Sequence, residues 1–155
     1  LAPEHLTAMY NMADCTINIS DAEGFGLATL ESLACGTPII VNMTGGLQQQ
    51  VTDGENWFGI GLEPVSKAII GSQQVPWIYE DRLAKEDFIG ALKQMITCDE
   101  DQMDEWKKKA VEWVTEEYPF EKYTHGWEKI LTDIHEKYGS WETRKGYERI
   151  KQKEF

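Results

Sequence analysis

The stretch that most constrains this chain is residues 16–41, where a strand pattern, a glycine loop, a helix pattern and a second strand follow in direct succession. Thr16-Ile17-Asn18-Ile19-Ser20 alternates apolar and polar residues and is rich in β-branched side chains, which predicts a strand. Leu27, Leu30 and Ala34 recur at helical spacing. Gly36 and Pro38 end that helix, since Gly accepts a left-handed cap and Pro cannot continue the hydrogen-bond ladder. Ile39-Ile40-Val41 is a short apolar run suited to a buried strand. Strand, loop, helix and strand in this order form half of a doubly wound α/β sheet.

This unit suits anion binding. Gly24 and Gly26 carry no Cβ, so the loop backbone can come close to a ligand. The following helix directs unpaired N–H groups and a partial positive charge at the same loop, where a phosphate or diphosphate sits well. From Leu27 to Cys35 the only charged residue is Glu31. The predicted helix is therefore buried on most sides, with Leu27, Leu30 and Ala34 inward and Glu31 on the rim of that face. Read alone, Glu23 could be a plain loop acid and Glu31 a residue that favours a helix N-terminus.

The wider pattern resembles a known family. Glu23-Gly24-Phe25-Gly26-Leu27, then Leu30-Glu31-Ser32-Leu33-Ala34-Cys35-Gly36-Thr37-Pro38, resembles the donor-site motif of retaining GT-B glycosyltransferases of the group-one family, with seven residues between Glu23 and Glu31. Leu6 and Tyr10 to Asp14 resemble the helix before the motif strand. Gly45-Gly46-Leu47-Gln48-Gln49-Gln50-Val51-Thr52-Asp53-Gly54 resembles the family's Gly-Gly-x-x-Glu-x-Val-x-Asp-Gly segment, with Gln49 in place of the Glu.

The resemblance implies the later part of a C-terminal, Rossmann-like donor domain of a GT-B fold, followed by C-terminal helices. It implies transfer of a sugar from a UDP-, GDP- or ADP-linked donor, with retention, to a glycan, lipid or protein acceptor. Glu23 would hydrogen-bond hydroxyls of the donor sugar and is the catalytic candidate. The amides of Gly24, Phe25, Gly26 and Leu27 would face sugar and diphosphate, and Glu31 would take the ribose hydroxyls. No cofactor and no metal is implied. A sugar-nucleotide epimerase of the same fold and a non-catalytic sugar-nucleotide-binding subunit are the alternatives. The family pattern also places a basic pair, earlier strands and an N-terminal acceptor domain upstream. Their absence here implies a piece of a longer enzyme or a gene product that has lost its front, inactive alone, with an uncovered sheet edge that invites aggregation or pairing with another chain.

A length of 155 residues suits one domain, expected over 1–138, with a polar tail at 139–155. The net charge of −12 argues against a nucleic-acid partner, which would call for a basic stripe. Cys15, Cys35 and Cys98 lack ligand spacing, and two fall inside the predicted strand and helix, so all three read as buried, reduced thiols of a cytoplasmic protein. No run of membrane-spanning length is present, so any membrane contact is peripheral.

Elsewhere the pattern predicts a helix before residue 14, with Leu6, Met9, Tyr10 and Ala13 inward. Gly45-Gly46 reads either as a close approach to a sugar or as a plain strand-to-helix turn. Residues 54–77 read as an ordered loop with short strands, and 75–79 as a strand or an exposed strip whose aromatics could stack on sugar. A helix is predicted over 81–97 with Leu83, Phe88, Ile89, Leu92 and Ile96 as its stripe. A second follows with Trp106, Ala110, Trp113 and Val114 inward, and a third with Tyr123, Trp127, Ile130, Leu131 and Ile134.

Overall fold

The structure, a computed structural model, describes residues 2–145. Strands β1 (Thr16–Asn18), β2 (Ile39–Asn42) and β3 (Gly59–Leu62) form a parallel sheet in the order β1-β2-β3. Ile17 lies opposite Ile40, and Val41 opposite Gly61. Helix α1 (Pro3–Met12) precedes the sheet, and α2 (Leu27–Ala34) and α3 (Leu47–Val51) make the crossovers. An antiparallel hairpin of β4 (Ser66–Ile69) and β5 (Tyr79–Arg82) follows, and then α4 (Lys85–Ile96) and α5 (Glu100–Glu117). The architecture is the expected α/β class.

Every residue of β2 is buried, as a central parallel strand requires. Successive side chains of a strand point to opposite faces, so β2 feeds two cores. Ile39 and Val41 pack with Leu33, Leu47, Val51, Phe58 and Ala110. Ile40 packs with Ile60, Leu62, Ala91, Met95 and Trp106 on the other face. The first core is closed by Trp113, whose ring stacks on Phe58 at 5.1 Å. β1 has β2 on one side and no strand on the other among the described residues, and Ile17 and Ile19 stay exposed.

Four expectations need correction. Asp81 and Arg82 belong to β5, and helix α4 begins only at Lys85. Their pairing with Lys67 and Ser66 draws them into the hairpin, a contact that local periodicity does not report. The inward side of α4 carries Ala91 and Met95, with Phe88 and Leu92 beside them, while Ile96 is 81% exposed. In α1 no residue is buried. Cys15 precedes β1 and Cys35 caps α2, so neither thiol lies inside its element. All three cysteines are free, and burial pushes each thiol pKa up.

Residues 54–77 contain β3 and β4, as expected, whereas 75–78 lie outside any strand and Trp77 is 71% exposed. The chain divides into two compact units, Leu1–Glu116 and Glu117–Phe155. The second holds α6 (Phe120–Tyr138), whose stripe from Tyr123 to Ile134 is exposed throughout. Residues 146–155 of the expected tail, Tyr147, Ile150 and Phe155 included, lie outside the described residues. Among the described residues no helix is long and apolar enough to cross a membrane.

Candidate functional site

The loop between β1 and α2 leaves the sheet at the carboxyl ends of its strands, the side on which open α/β sheets bind ligands. The ends of β1 and β2 both carry an asparagine, and both serve this loop. Asn18 Oδ1 accepts the Ser20 amide at 3.1 Å and the Ser20 hydroxyl at 2.7 Å. Asn42, fully buried, donates its amide to the Ser20 carbonyl at 2.9 Å. Glu23 sits three residues further on. Its carboxylate accepts the Gly24 N–H at 3.0 Å and faces the Asn18 amide at 3.5 Å. Gly24 and Phe25 are exposed, and Leu27 is 67% exposed.

Helix α2 starts from Gly26 in the left-handed conformation, with φ of 88°. No side chain caps its N-terminus. The Leu30 N–H bonds back to the Gly26 carbonyl at 3.1 Å. A helix start with no side-chain cap, beside an exposed loop, is a place for an anion or a polar ligand.

The buried face of α2 differs from the expected one. Thr29, Ser32 and Leu33 face inward, while Leu27 and Ala34 are exposed. The two hydroxyls are tolerated inside because each has partners. Thr29 Oγ1 bonds to the Gly26 carbonyl at 2.7 Å and meets Gln50 Oε1. Ser32 Oγ donates to the Thr37 carbonyl at 2.9 Å and lies 2.8 Å from Thr16 Oγ1. Glu31 therefore stands one turn after Leu27 on the open face. There its Oε2 accepts the Tyr10 hydroxyl at 3.0 Å. Burial and the Glu31 carboxylate together push the Tyr10 pKa above its usual value.

The glycines divide by role. A Cβ on Gly24 would meet nothing within 4 Å. One on Gly26 would lie 2.7 Å from Leu47 Cδ2 and 2.8 Å from Thr29 Oγ1, so that position is closed by the protein's own interior. Gly45, with φ of 51°, and Gly46 were open to two readings, a sugar approach or a turn. Their backbone presses on the candidate loop itself. A Cβ on Gly45 would strike the Glu23 carbonyl, and one on Gly46 the Phe25 backbone. The Gly46 N–H donates to the Gly24 carbonyl at 3.0 Å.

Two contributors escaped the sequence pattern. Gln50, 1% exposed, donates its amide to the Phe25 carbonyl at 2.6 Å, while Gln49 is exposed. The second is the hairpin. The Asp81 N–H donates to the Asp21 carbonyl at 2.7 Å, and the Arg82 guanidinium pairs with the Asp21 carboxylate. Asp81 is itself anchored by the Thr44 hydroxyl at 2.7 Å and by Lys67 at 3.3 Å, and these contacts hold its carboxyl below the usual range. A repeated Gly-Gly or a Glu pair can be seen in sequence; a partner sixty-one residues away cannot.

A hollow of about 500 Å³ beside β3, lined by Trp57, Gln94, Gln102, Glu105 and Trp106 among others, shares no residue with this loop. Among the described residues no group of three or more His, Cys, Asp or Glu could hold a metal ion.

The family model described as "Glycosyl transferases group 1" matches residues 1–113. The chain is 46% identical over 56 residues to a D-inositol 3-phosphate glycosyltransferase of Acidothermus cellulolyticus, a match covering 36% of this chain and 12% of the relative. Over 86 residues it is 43% identical to the enzyme of that name from an Arthrobacter species, covering 56% of this chain and 20% of the relative. The chain thus spans a fifth or less of the length of these relatives. Among solved structures, sucrose-phosphate synthase from Thermosynechococcus elongatus is similar, with a TM-score of 0.65 and 22% identity over 86% of this chain and 28% of that one. That likeness supports the α/β fold.

Proposed function

The chain belongs to the group 1 glycosyl transferases, and from that premise we propose that its first unit holds the nucleotide-sugar donor of a glycosyl transfer. The observation that carries this reading is the placement of two acids, one before α2 and one along its exposed side. Glu23 lies in the loop before it, and Glu31 lies on its open face, held by Tyr10.

In this reading Glu31 accepts the ribose hydroxyls, for which an ionised carboxylate has enough lone pairs. Glu23 acts on the sugar. The loop backbone at Gly24, Phe25 and Leu27, which is exposed on either side of the buried Gly26, lies against the diphosphate, and the α2 dipole offsets the charge that develops as this group leaves. Retention of configuration and the absence of a metal requirement come with the family resemblance as parts of the same proposal. The relatives' inositol 3-phosphate acceptor is not carried over, because so little of their length is spanned.

The test separates the two acids. Glu31→Ala is expected to weaken nucleoside-diphosphate binding by about 1.5–3 kcal/mol, the range for hydrogen bonds to a charged group. Glu23→Gln in the full-length protein is expected to lower turnover and leave that affinity nearly unchanged. Calorimetry showing unchanged affinity in Glu31→Ala, with circular dichroism reporting an intact fold, would sink the ribose assignment.

A further inference from the structure

We propose that Asp81 and Arg82, at the end of hairpin β4–β5, are positioning residues for the loop that carries Glu23. This rests on the reading that Glu23 faces the donor sugar.

Residues 20–24 form neither helix nor strand, and Asp21, Ala22 and Gly24 are exposed. Such a segment keeps one shape only through its ties. Asn42 holds the Ser20 carbonyl from β2, and Gly46 holds the Gly24 carbonyl from the start of α3. Between them, Asp21 is held by β5 twice: through its carbonyl by the Asp81 N–H, and through its carboxylate by Arg82. Asp21 stands two residues before Glu23, so this hold sets where the acid begins.

The clamp is itself braced. Thr44, just past β2, and Lys67 on β4 grip the Asp81 carboxylate, and Glu80 takes the other side of the Arg82 guanidinium at 2.6 Å. Arg82 and Asp21 are 37% and 46% exposed at their side chains. An ion pair that open to water contributes little to global stability. Its effect is local, on the exposed stretch between the Ser20 and Gly24 ties, and a misplaced catalytic group lowers turnover before it lowers affinity.

The experiment compares Arg82→Ala, Arg82→Lys and Asp21→Asn. Hydrogen exchange on the ligand-free chain is expected to show the amides of residues 21–25 opening at least about threefold faster in Arg82→Ala, with β2 and α2 unchanged. Lysine cannot reproduce the planar fork to both Asp21 and Glu80, so Arg82→Lys is expected to recover only part of the protection. In the full-length protein, turnover with a nucleotide sugar is expected to fall at least about tenfold in Arg82→Ala, while nucleoside-diphosphate affinity stays within about twofold. Unchanged loop exchange in both Arg82→Ala and Asp21→Asn overturns the proposal. So does a loosened loop with unchanged turnover, or an equal loss of diphosphate affinity. A Glu23→Gln protein with normal turnover would count against the donor reading instead, since the exchange measurement judges the clamp without any ligand.

Discussion

The Tyr10 hydroxyl donates to Glu31 Oε2 at 3.0 Å across twenty-one residues of chain. It ties the helix before β1 to the open face of the helix after it, and it fixes a carboxylate that would otherwise sample several rotamers. Tyr10→Phe removes that bond alone. It is expected to weaken nucleoside-diphosphate binding by about 0.5–1.5 kcal/mol, the net worth of one hydrogen bond, as read by calorimetry.

The same tyrosine makes a pH prediction. Its folded pKa lies above the ordinary value of 10.0, first through burial and then through Glu31. A raised pKa means that the folded state holds the proton more tightly. The resulting stability is fully present below pH 10.0 and lost as pH climbs through the folded pKa. Denaturant midpoints measured across that window should fall less steeply in Tyr10→Phe than in the parent.

Acid should act through Asp53. Its carboxylate accepts the Asn56 side-chain amide at 2.9 Å and the backbone N–H groups of Asn56 and Glu55 at 2.6 and 2.8 Å. These bonds, the Asn56 side chain first, hold its pKa below 3.8. The contribution is present above that value and disappears as pH falls through the folded pKa. Asp53→Asn is expected to flatten this acid limb in a pH series of thermal melts.

The two loop glycines should separate. Gly26→Ala forces a side chain into a left-handed backbone and against Leu47 and Thr29, and should lower stability by about 2–4 kcal/mol. Gly24→Ala meets open space and should stay within about 0.5 kcal/mol of the parent. Denaturant titration measures both. A loss of nucleotide-sugar affinity in Gly24→Ala would then report the ligand rather than the fold.

Gln50→Leu should remove the tether on the Phe25 carbonyl and leave Thr29 without its side-chain partner inside the core. A destabilisation of about 1–3 kcal/mol is expected, accompanied by faster hydrogen exchange at Phe25 and Gly26.

The residues that announced themselves in sequence did so through local pattern. Thr16 to Val41 reads as strand, loop, helix and strand because period-2 alternation, glycine and helical spacing each act over a few residues. Apolar spacing does not show the inward face of α2, because it scores hydroxyls as outward. Thr29 and Ser32 are buried at no loss because Gly26, Gln50, Thr37 and Thr16 answer them. Gln50 was hidden among three glutamines that differ only in which face of a short helix they occupy. The start of α4 is not legible in local pattern, because Asp81 and Arg82 obey a partner strand rather than their neighbours.

The span of the Asp21–Arg82 contact also bears on the order in which the molecule takes shape. Thr29–Gln50 and Tyr10–Glu31 each join residues twenty-one apart, whereas this contact joins residues sixty-one apart. Closing the longer segment adds about 1 kcal/mol of chain entropy, and synthesis must reach residue 82 before it can happen at all. A growing chain can therefore pair β1 with β2 and seat α2 while Asp21 still lacks its hold from β5. The inner ties of this loop, from Asn42 and Gly46, can form before the outer one from β5, while both cores still wait for α4 and α5.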